Sequence, residues 1–215
     1  MARSPAAGRY CFRAGLLACA TSLLVLTTVA PAAAQAHRTA IAVDSLRKIQ
    51  DIEPRSGPPG TRVQVYTENL PLQGRVVLGV GAIHAGFEVL GEAEQGALGE
   101  VDGTIRIPAS ATWDRAIVLI TLNGNFAPTA LSDPFHVTNA EGLVHRVGRV
   151  TDEGDGCLAF RDTDGYFYSL AGATQGLEVG NYLEIEGRFD PKGSCPLGET
   201  LDVTRAIPAT APTGN

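Results

Sequence analysis

The chain has 215 residues, 44% hydrophobic and 19% charged, and a formal net charge of −6. That balance excludes intrinsic disorder, collagen and coiled coil. Twenty-five glycines and 13 prolines beside one methionine and 6% aromatics favour many short elements joined by turns over long helices.

Arg3, Arg9 and Arg13 form a positive n-region, the uncharged run Ala14 to Ala30 follows, and Pro31 to Ala36 supplies small residues. This is the pattern of a secretory signal peptide over residues 1–36, with cleavage expected after Ala36 and cleavage after Ala34 as the alternative. An uncleaved anchor is disfavoured because the run falls short of the roughly 20 residues of a comfortable span and contains Thr21, Ser22, Thr27 and Thr28. Leu16-Leu17-Ala18-Cys19 resembles a lipobox, yet most of the apolar run lies after Cys19.

Losing the leader removes three arginines and no acid, which leaves 14 Lys and Arg against 23 Asp and Glu, a charge of −9. Such a chain repels phosphate backbones, so nucleic acid is not an expected partner. Cys11 and Cys19 leave with the leader, and Cys157 and Cys195 remain. Two cysteines in an exported chain read as one disulfide, with two free buried thiols as the alternative. A loop of about 39 residues closed in this way is worth about 4 kcal/mol in the chain-entropy account. The expected location is therefore periplasmic or extracellular, with no transmembrane segment after signal cleavage.

Residues 37–48 read as a linker that holds the start of a short helix over Ile41 to Ile49. From Ile49 onward the sustained apolar stripe of a helix is missing, and short β-like runs bounded by Gly, Pro, Asn and Asp take over. The first set comprises Thr61–Tyr66, Arg75–Val80, Gly86–Leu90, Gly103–Ile107, Arg115–Leu122 and Pro134–Val137, with room for a seventh near Ile49. Val63 and Val65 share one face, and the apolar run Ala116 to Leu122 suits a central strand buried on both faces. Six or seven strands in about 90 residues suit a β-sandwich.

This segment opens with Ile52-Glu-Pro-Arg-Ser-Gly-Pro-Pro-Gly-Thr61 followed by alternating Val-Gln-Val. The opening resembles the Pro-x-Ser-Gly-Pro-x-Gly-Thr signature of the IPT/TIG family of immunoglobulin-like domains. Leu131-Ser-Asp-Pro-Phe-His-Val137 is similar to that family's last strand. The resemblance covers residues 49–138 and implies an immunoglobulin-like sandwich. It implies no reaction, since these domains occur in surface receptors, transcription factors and accessory modules of polysaccharide enzymes. Physically, the Gly and Pro residues impose a tight turn that lets the first strand change direction.

After Thr138-Asn-Ala-Glu-Gly142, residues 140–207 carry five further β-like runs: Leu143–Val150, Cys157–Phe160, Tyr166–Leu170, Tyr182–Glu186 and Leu201–Ile207. Asp164-Gly165 between the second and third is a hairpin signal. Five strands in about 65 residues is the size of a small OB-like barrel. Gly148–Gly154, Cys157, the Asp-Gly hairpin, Val179–Gly187 and Cys195 resemble small OB-like domains of unknown function in exported bacterial proteins. Cys157 opens the second strand and Cys195 lies in the loop entering the fifth, so their bridge would pin that loop across the barrel mouth. Residues 208–215 read as a disordered Pro/Thr/Ala tail. The fold class expected is all-β, a sandwich followed by a barrel.

Catalytic signatures are sparse. The chain has no G-x-S-x-G, H-E-x-x-H, P-loop, C-x-x-C or G-x-G-x-x-G pattern. His37 would lie at or next to the mature N-terminus, where amine and imidazole can together bind Cu(II), but a solvated terminal residue is the favoured reading. His84, His136 and His145 read as strand-face residues. Asp152, Asp155, Asp162 and Asp164 lie in two loops at neighbouring hairpin ends and are the candidates for a weak Ca²⁺ site, against ordinary turn chemistry. No other cofactor is expected.

Aromatic residues mark the candidate ligand surface: Phe167, and Tyr182 with Glu184 and Glu186 on the outer face of a strand whose Leu183 and Ile185 face inward. An acidic aromatic surface suits sugar hydroxyls or a basic protein segment better than single-stranded nucleic acid. Tyr166 and Tyr168 read as barrel filling. Trp113 is a candidate sugar platform or a plug over the first core. The reading is an exported, non-catalytic binding module of the bacterial cell envelope, with an envelope protein or a glycan as partner. Its alternatives are a carbohydrate-binding accessory protein and an enzyme of unrecognised type.

Overall fold

Alternation of apolar and polar residues decides which side of each strand is buried, and it builds an all-β molecule. The computed structural model describes residues 46–82, 85–193 and 195–212. The expected signal peptide, His37, the start of the expected helix, His84 and the last three residues lie outside these. The described residues belong to one compact unit and contain no helix. Among them, no helix is long and apolar enough to cross a membrane.

Two sheets make the first half. One is β2 (Asp51–Glu53), β4 (Arg62–Thr67) and β7 (Val101–Arg106), with β4 in the middle. The other has the order β1 (Arg47–Lys48), β9 (Pro128–Val137), β8 (Ala116–Leu122), β5 (Arg75–Ala82) and β6 (Gly86–Glu94), and β3 (Ser56–Gly57) also pairs with β9. Both sheets contribute to a single apolar cluster, with Ile52, Val63 and Ile105 from one and Leu78, Leu119 and Phe135 from the other. Burying a side chain of this size is worth about 1.5–3 kcal/mol, so the alternation in β4, where every second residue is buried, fixes which face turns inward.

The chain enters between the sheets. β2 pairs with β4 and β3 pairs with β9, so the Gly/Pro-rich stretch from Ile52 to Thr61 carries the strand from one sheet to the other. β5 and β8 are buried on both faces, because Val77, Ile120 and Leu122 form a second cluster on the outer side of the larger sheet. The expected helix over Ile41 to Ile49 is replaced, where described, by β1, in which Arg47 and Lys48 pair in parallel with Ala130 and Leu131. Ile49 follows as a buried core residue, so the expected linker reaches two residues into the sheet.

The second half is a closed five-stranded barrel in the order β10 (Val144–Thr151), β11 (Leu158–Asp162), β12 (Phe167–Gly172), β14 (Glu199–Pro208) and β13 (Tyr182–Asp190), with β13 closing on β10. β12 and β14 run parallel, and the other neighbours are antiparallel. This is an OB-like barrel filled by Val144, Val150, Phe160, Tyr168, Ile185 and Leu201. Cys157 and Cys195 are joined by a disulfide with 6.0 Å between their Cα atoms, tying the β10–β11 connection to the β13–β14 connection. Pairing continues to Pro208, and the Ala209 N–H donates to the Tyr182 carbonyl, so the tail begins as a held segment.

Candidate functional site at the junction of sandwich and barrel

A six-residue connection, residues 138–143, links the two halves. The Asn139 side-chain carbonyl accepts the N–H groups of Glu141 and Leu143, and the Arg188 guanidinium donates to the Glu141 carbonyl. Where the halves meet, ionisable residues of both are buried together.

Arg146 is the centre of this cluster. On β10 it alternates with Val144, Gly148 and Val150, all of which turn inward, and it is 1% exposed. Its Nε donates to the Tyr168 hydroxyl at 3.1 Å, and Nη1 donates to the carbonyls of Trp113 (2.9 Å) and His145 (2.6 Å). Nη2 lies 3.3 Å from His136 Nδ1. A guanidinium only donates, so Nδ1 accepts and His136 carries its proton on Nε2, which meets the Glu199 carboxylate at 2.6 Å. The other oxygen of Glu199 is paired with Arg55, which arrives from the β2–β3 turn. Phe189 stacks on His136 at 4.2 Å and lies under the Arg55 guanidinium.

The far side of the cluster is Asp162. Its Oδ1 accepts the backbone N–H groups of Asp164 and Tyr166, and its Oδ2 accepts from the Tyr168 hydroxyl and lies 3.9 Å from Arg146 Nε. Asp164 in turn receives the Arg115 guanidinium from the sandwich at 3.1 Å.

Burial sets the electrostatics. It pushes the His136 imidazole below its ordinary range, reinforced by Arg146 and Arg55 and opposed by Glu199. It pushes the Asp162 carboxyl up, against its hydrogen bonds and Arg146. It raises the Tyr166 phenol to about 12 and Tyr168 further. Glu199 beside a histidine resembles a base with its orienting acid, but both nitrogens of His136 face protein groups and the ring is fully buried. The arrangement holds one β unit against the other.

Of the residues singled out from sequence, Trp113, Asp162 and Asp164 fall at this junction. Trp113 is half-buried, its carbonyl bonded to Arg146 and its ring 5.3 Å from that of His145 across the seam. It therefore packs against the barrel. Tyr182, Glu184 and Glu186 share the outer face of β13, where Tyr182 lies beside the Arg149 guanidinium, Glu184 meets the His145 ring at 3.0 Å and Glu186 pairs with Arg205. Arg149 and Arg205 therefore reach the face expected to be acidic. Phe167 lies under the Arg161 guanidinium.

The four aspartates considered for Ca²⁺ are not brought together. Asp162 is buried in the junction, Asp164 is paired with Arg115, and Asp152 and Asp155 are left near the β10–β11 turn with Asp152 exposed. Among the described residues, no group of three or more His, Cys, Asp or Glu side chains converges as a metal site. Sequence reasoning missed Arg55, Arg146, Phe189 and Glu199, and read His136 as an ordinary strand-face residue.

The fold defines an all-β class, a two-sheet sandwich joined to a closed OB-like barrel. No family model matches the chain, and comparison with curated proteins and with solved structures returns no match.

Proposed function

We propose that the chain is an exported, non-catalytic binding module of the bacterial cell envelope, an IPT/TIG-like immunoglobulin domain held rigidly against an OB-like barrel. The observation that carries this reading is the junction. Arg146, His136 and Asp162 are buried, Glu199 is partly buried, and contacts run from Glu199 through His136 to Arg146 and Asp162, which fixes the geometry between two β units. Fixed geometry lowers the ordering cost of binding and suits a protein that presents a surface to a partner. The sheet switch at Ile52 to Thr61 supports the IPT/TIG-like assignment. The Cys157–Cys195 disulfide and the leader pattern support export.

Fractionation of cells expressing the tagged full chain, with alkylation before lysis, tests the reading. A shortened chain outside the cytoplasm with both cysteines oxidised is expected, together with photo-cross-links to an envelope component. A full-length cytoplasmic product with two free thiols overturns it.

A glycan partner is favoured by one feature, the polar cleft of about 260 Å³ at the seam, lined by Thr112, Asp114, His145 and Asp164 beside Trp113. Glycan-array binding lost on Trp113→Ala supports that version, and silence of the purified mature chain on the array removes it.

A further inference from the structure

We propose that the end of the sandwich away from the barrel is a membrane-docking face, where three loops insert Leu72, Leu98 and Phe126 into the interface of a bilayer with zwitterionic headgroups. This inference adds a lipid contact to the envelope role above and rests on that role for its setting.

Strand register brings the three loops to one end. Thr67 stands opposite Val101, Arg75 opposite Glu94 and Val77 opposite Leu122, so the β4–β5 connection (residues 68–74), the β6–β7 connection (95–100) and the β8–β9 hairpin (123–127) leave the sheets together. β9 runs from this end toward the barrel, with His136 and its partner Ala116 at the far side. Leu98 and Leu72 are the two most exposed large apolar residues among those described, at 83% and 69%, and Phe126 is 53% exposed. Single exposed apolar residues are ordinary, but three on loops at the same end make a surface for something else.

The loops are braced, so the side chains are held out. Gln95 Oε1 accepts the Gln73 N–H, Gln95 Nε2 donates to the Pro71 carbonyl, and the Leu70 N–H donates to the Gly99 carbonyl. The Leu98 N–H donates to the Glu100 carboxylate at 2.8 Å. In the hairpin the Asn123 side-chain carbonyl accepts the N–H groups of Asn125 and Ala127, which leaves Phe126 at a φ of 59°. Gly or Asn takes that left-handed conformation readily, whereas a bulky residue there is strained. A phenylalanine both strained and half exposed does little for the fold, which points to a role outside the chain.

Exposure and charge select lipid as the occupant. Side chains this exposed touch little of their own chain, so they form separate pegs and suit a deformable apolar medium better than a shaped protein pocket. Residues 69–74, 95–99 and 123–127 carry no charge, and Glu68, Glu94 and Glu100 stand at the strand ends behind them. Lys48 and Arg75 are paired with Asp133 and Glu92, which leaves exposed Arg47 against those three carboxylates. The end is therefore net acidic behind uncharged tips, an arrangement that enters the boundary of headgroups and acyl chains but gains nothing from an anionic surface. β1 runs parallel to β9 with Arg47 opposite Ala130, so the residues before Leu46 are joined to the fold at this same end.

The test is co-sedimentation of the purified mature chain, residues 37–215, with large vesicles of phosphatidylethanolamine and phosphatidylcholine. Saturable binding that survives high salt is expected, unchanged or weakened when phosphatidylglycerol replaces part of the lipid. Leu98→Ser should lower the partition coefficient about tenfold. Phe126→Asn should lower it by a similar factor while its Tm stays at or above the parent's, because Asn tolerates the left-handed backbone. Binding that grows with phosphatidylglycerol, disappears in high salt or is unchanged in both variants overturns the membrane face. So does silence on vesicles with a photoreactive amino acid at position 98 cross-linking to an envelope protein, which makes the tips a protein contact. Silence on vesicles with the chain found outside the cytoplasm removes this inference and leaves the envelope role; vesicle binding by a chain retained in the cytoplasm supports the inference and removes that role.

Discussion

Replacing Arg146 by Ala is the sharpest probe of the junction. The substitution strips a donor from the Tyr168 hydroxyl, the Trp113 and His145 carbonyls and His136 Nδ1, and leaves the Asp162 carboxylate without its cation. Breaking a buried charge pair from one side costs about 3–5 kcal/mol. Each buried polar group left unsatisfied adds about 1–3 kcal/mol where neither water nor a neighbour replaces the bond. Water will reach some of these groups once the side chain is gone, so a total of about 5 kcal/mol is expected. For a chain of this size one kcal/mol moves the Tm by about 2–4 °C, which places the variant about 10–20 °C below the parent. Calorimetry measures that shift, and the fluorescence of Trp113, the chain's single tryptophan, reports the seam directly. Arg146→Lys keeps the charge but not the planar fork, and should fall between the two. A drop in Tm of less than about 3 °C for Arg146→Ala would refute the claim that this network joins the two halves.

Other outcomes follow from the same geometry. Because burial holds the His136 pKa below its ordinary 6.5, the unfolded chain takes up a proton before the folded one does, so stability is lost as pH falls below about 6.5. Thermal melts from about pH 7.5 to 5 should show that loss, and His136→Gln should flatten it; equal slopes would contradict the assignment. Asp162 acts with the opposite sign, its raised pKa favouring the folded state at acid pH and losing that contribution as pH rises through the carboxylate range. Replacing Cys157 and Cys195 together by Ser should cost about 4 kcal/mol and increase amide exchange in the β13–β14 connection next to Glu199; an unchanged urea midpoint would sink this. Gly148→Ala drives its new Cβ into the Arg161 carbonyl and to 2.6 Å from Asp162 Cα, both backbone of the paired strand, so a loss of about 3 kcal/mol in urea unfolding is expected.

How far these features can be read from residues alone depends on where their energy comes from. A strand such as β4 advertises itself, because Val63 and Val65 alternate with polar residues and each buries on its own account. The cysteine pairing is as legible, since two cysteines remain once the leader is set aside. One signal of the junction went unused: Arg146 occupies the inward parity of β10 between Val144 and Gly148, and a charge at a core position demands a partner. Its partners were not visible, because Trp113 lies 33 residues away, and His136 finds Glu199 at 63 and Arg55 finds it at 144. No local pattern encodes those pairings; they exist only once two separately patterned cores dock. The same logic explains β1 and β3, two-residue strands whose stability comes from the β9 edge rather than from any alternation of their own. It also explains why helical periodicity was the wrong template for Leu46 to Ile49, the described end of that stretch, since Arg47 and Lys48 take their conformation from Ala130 and Leu131.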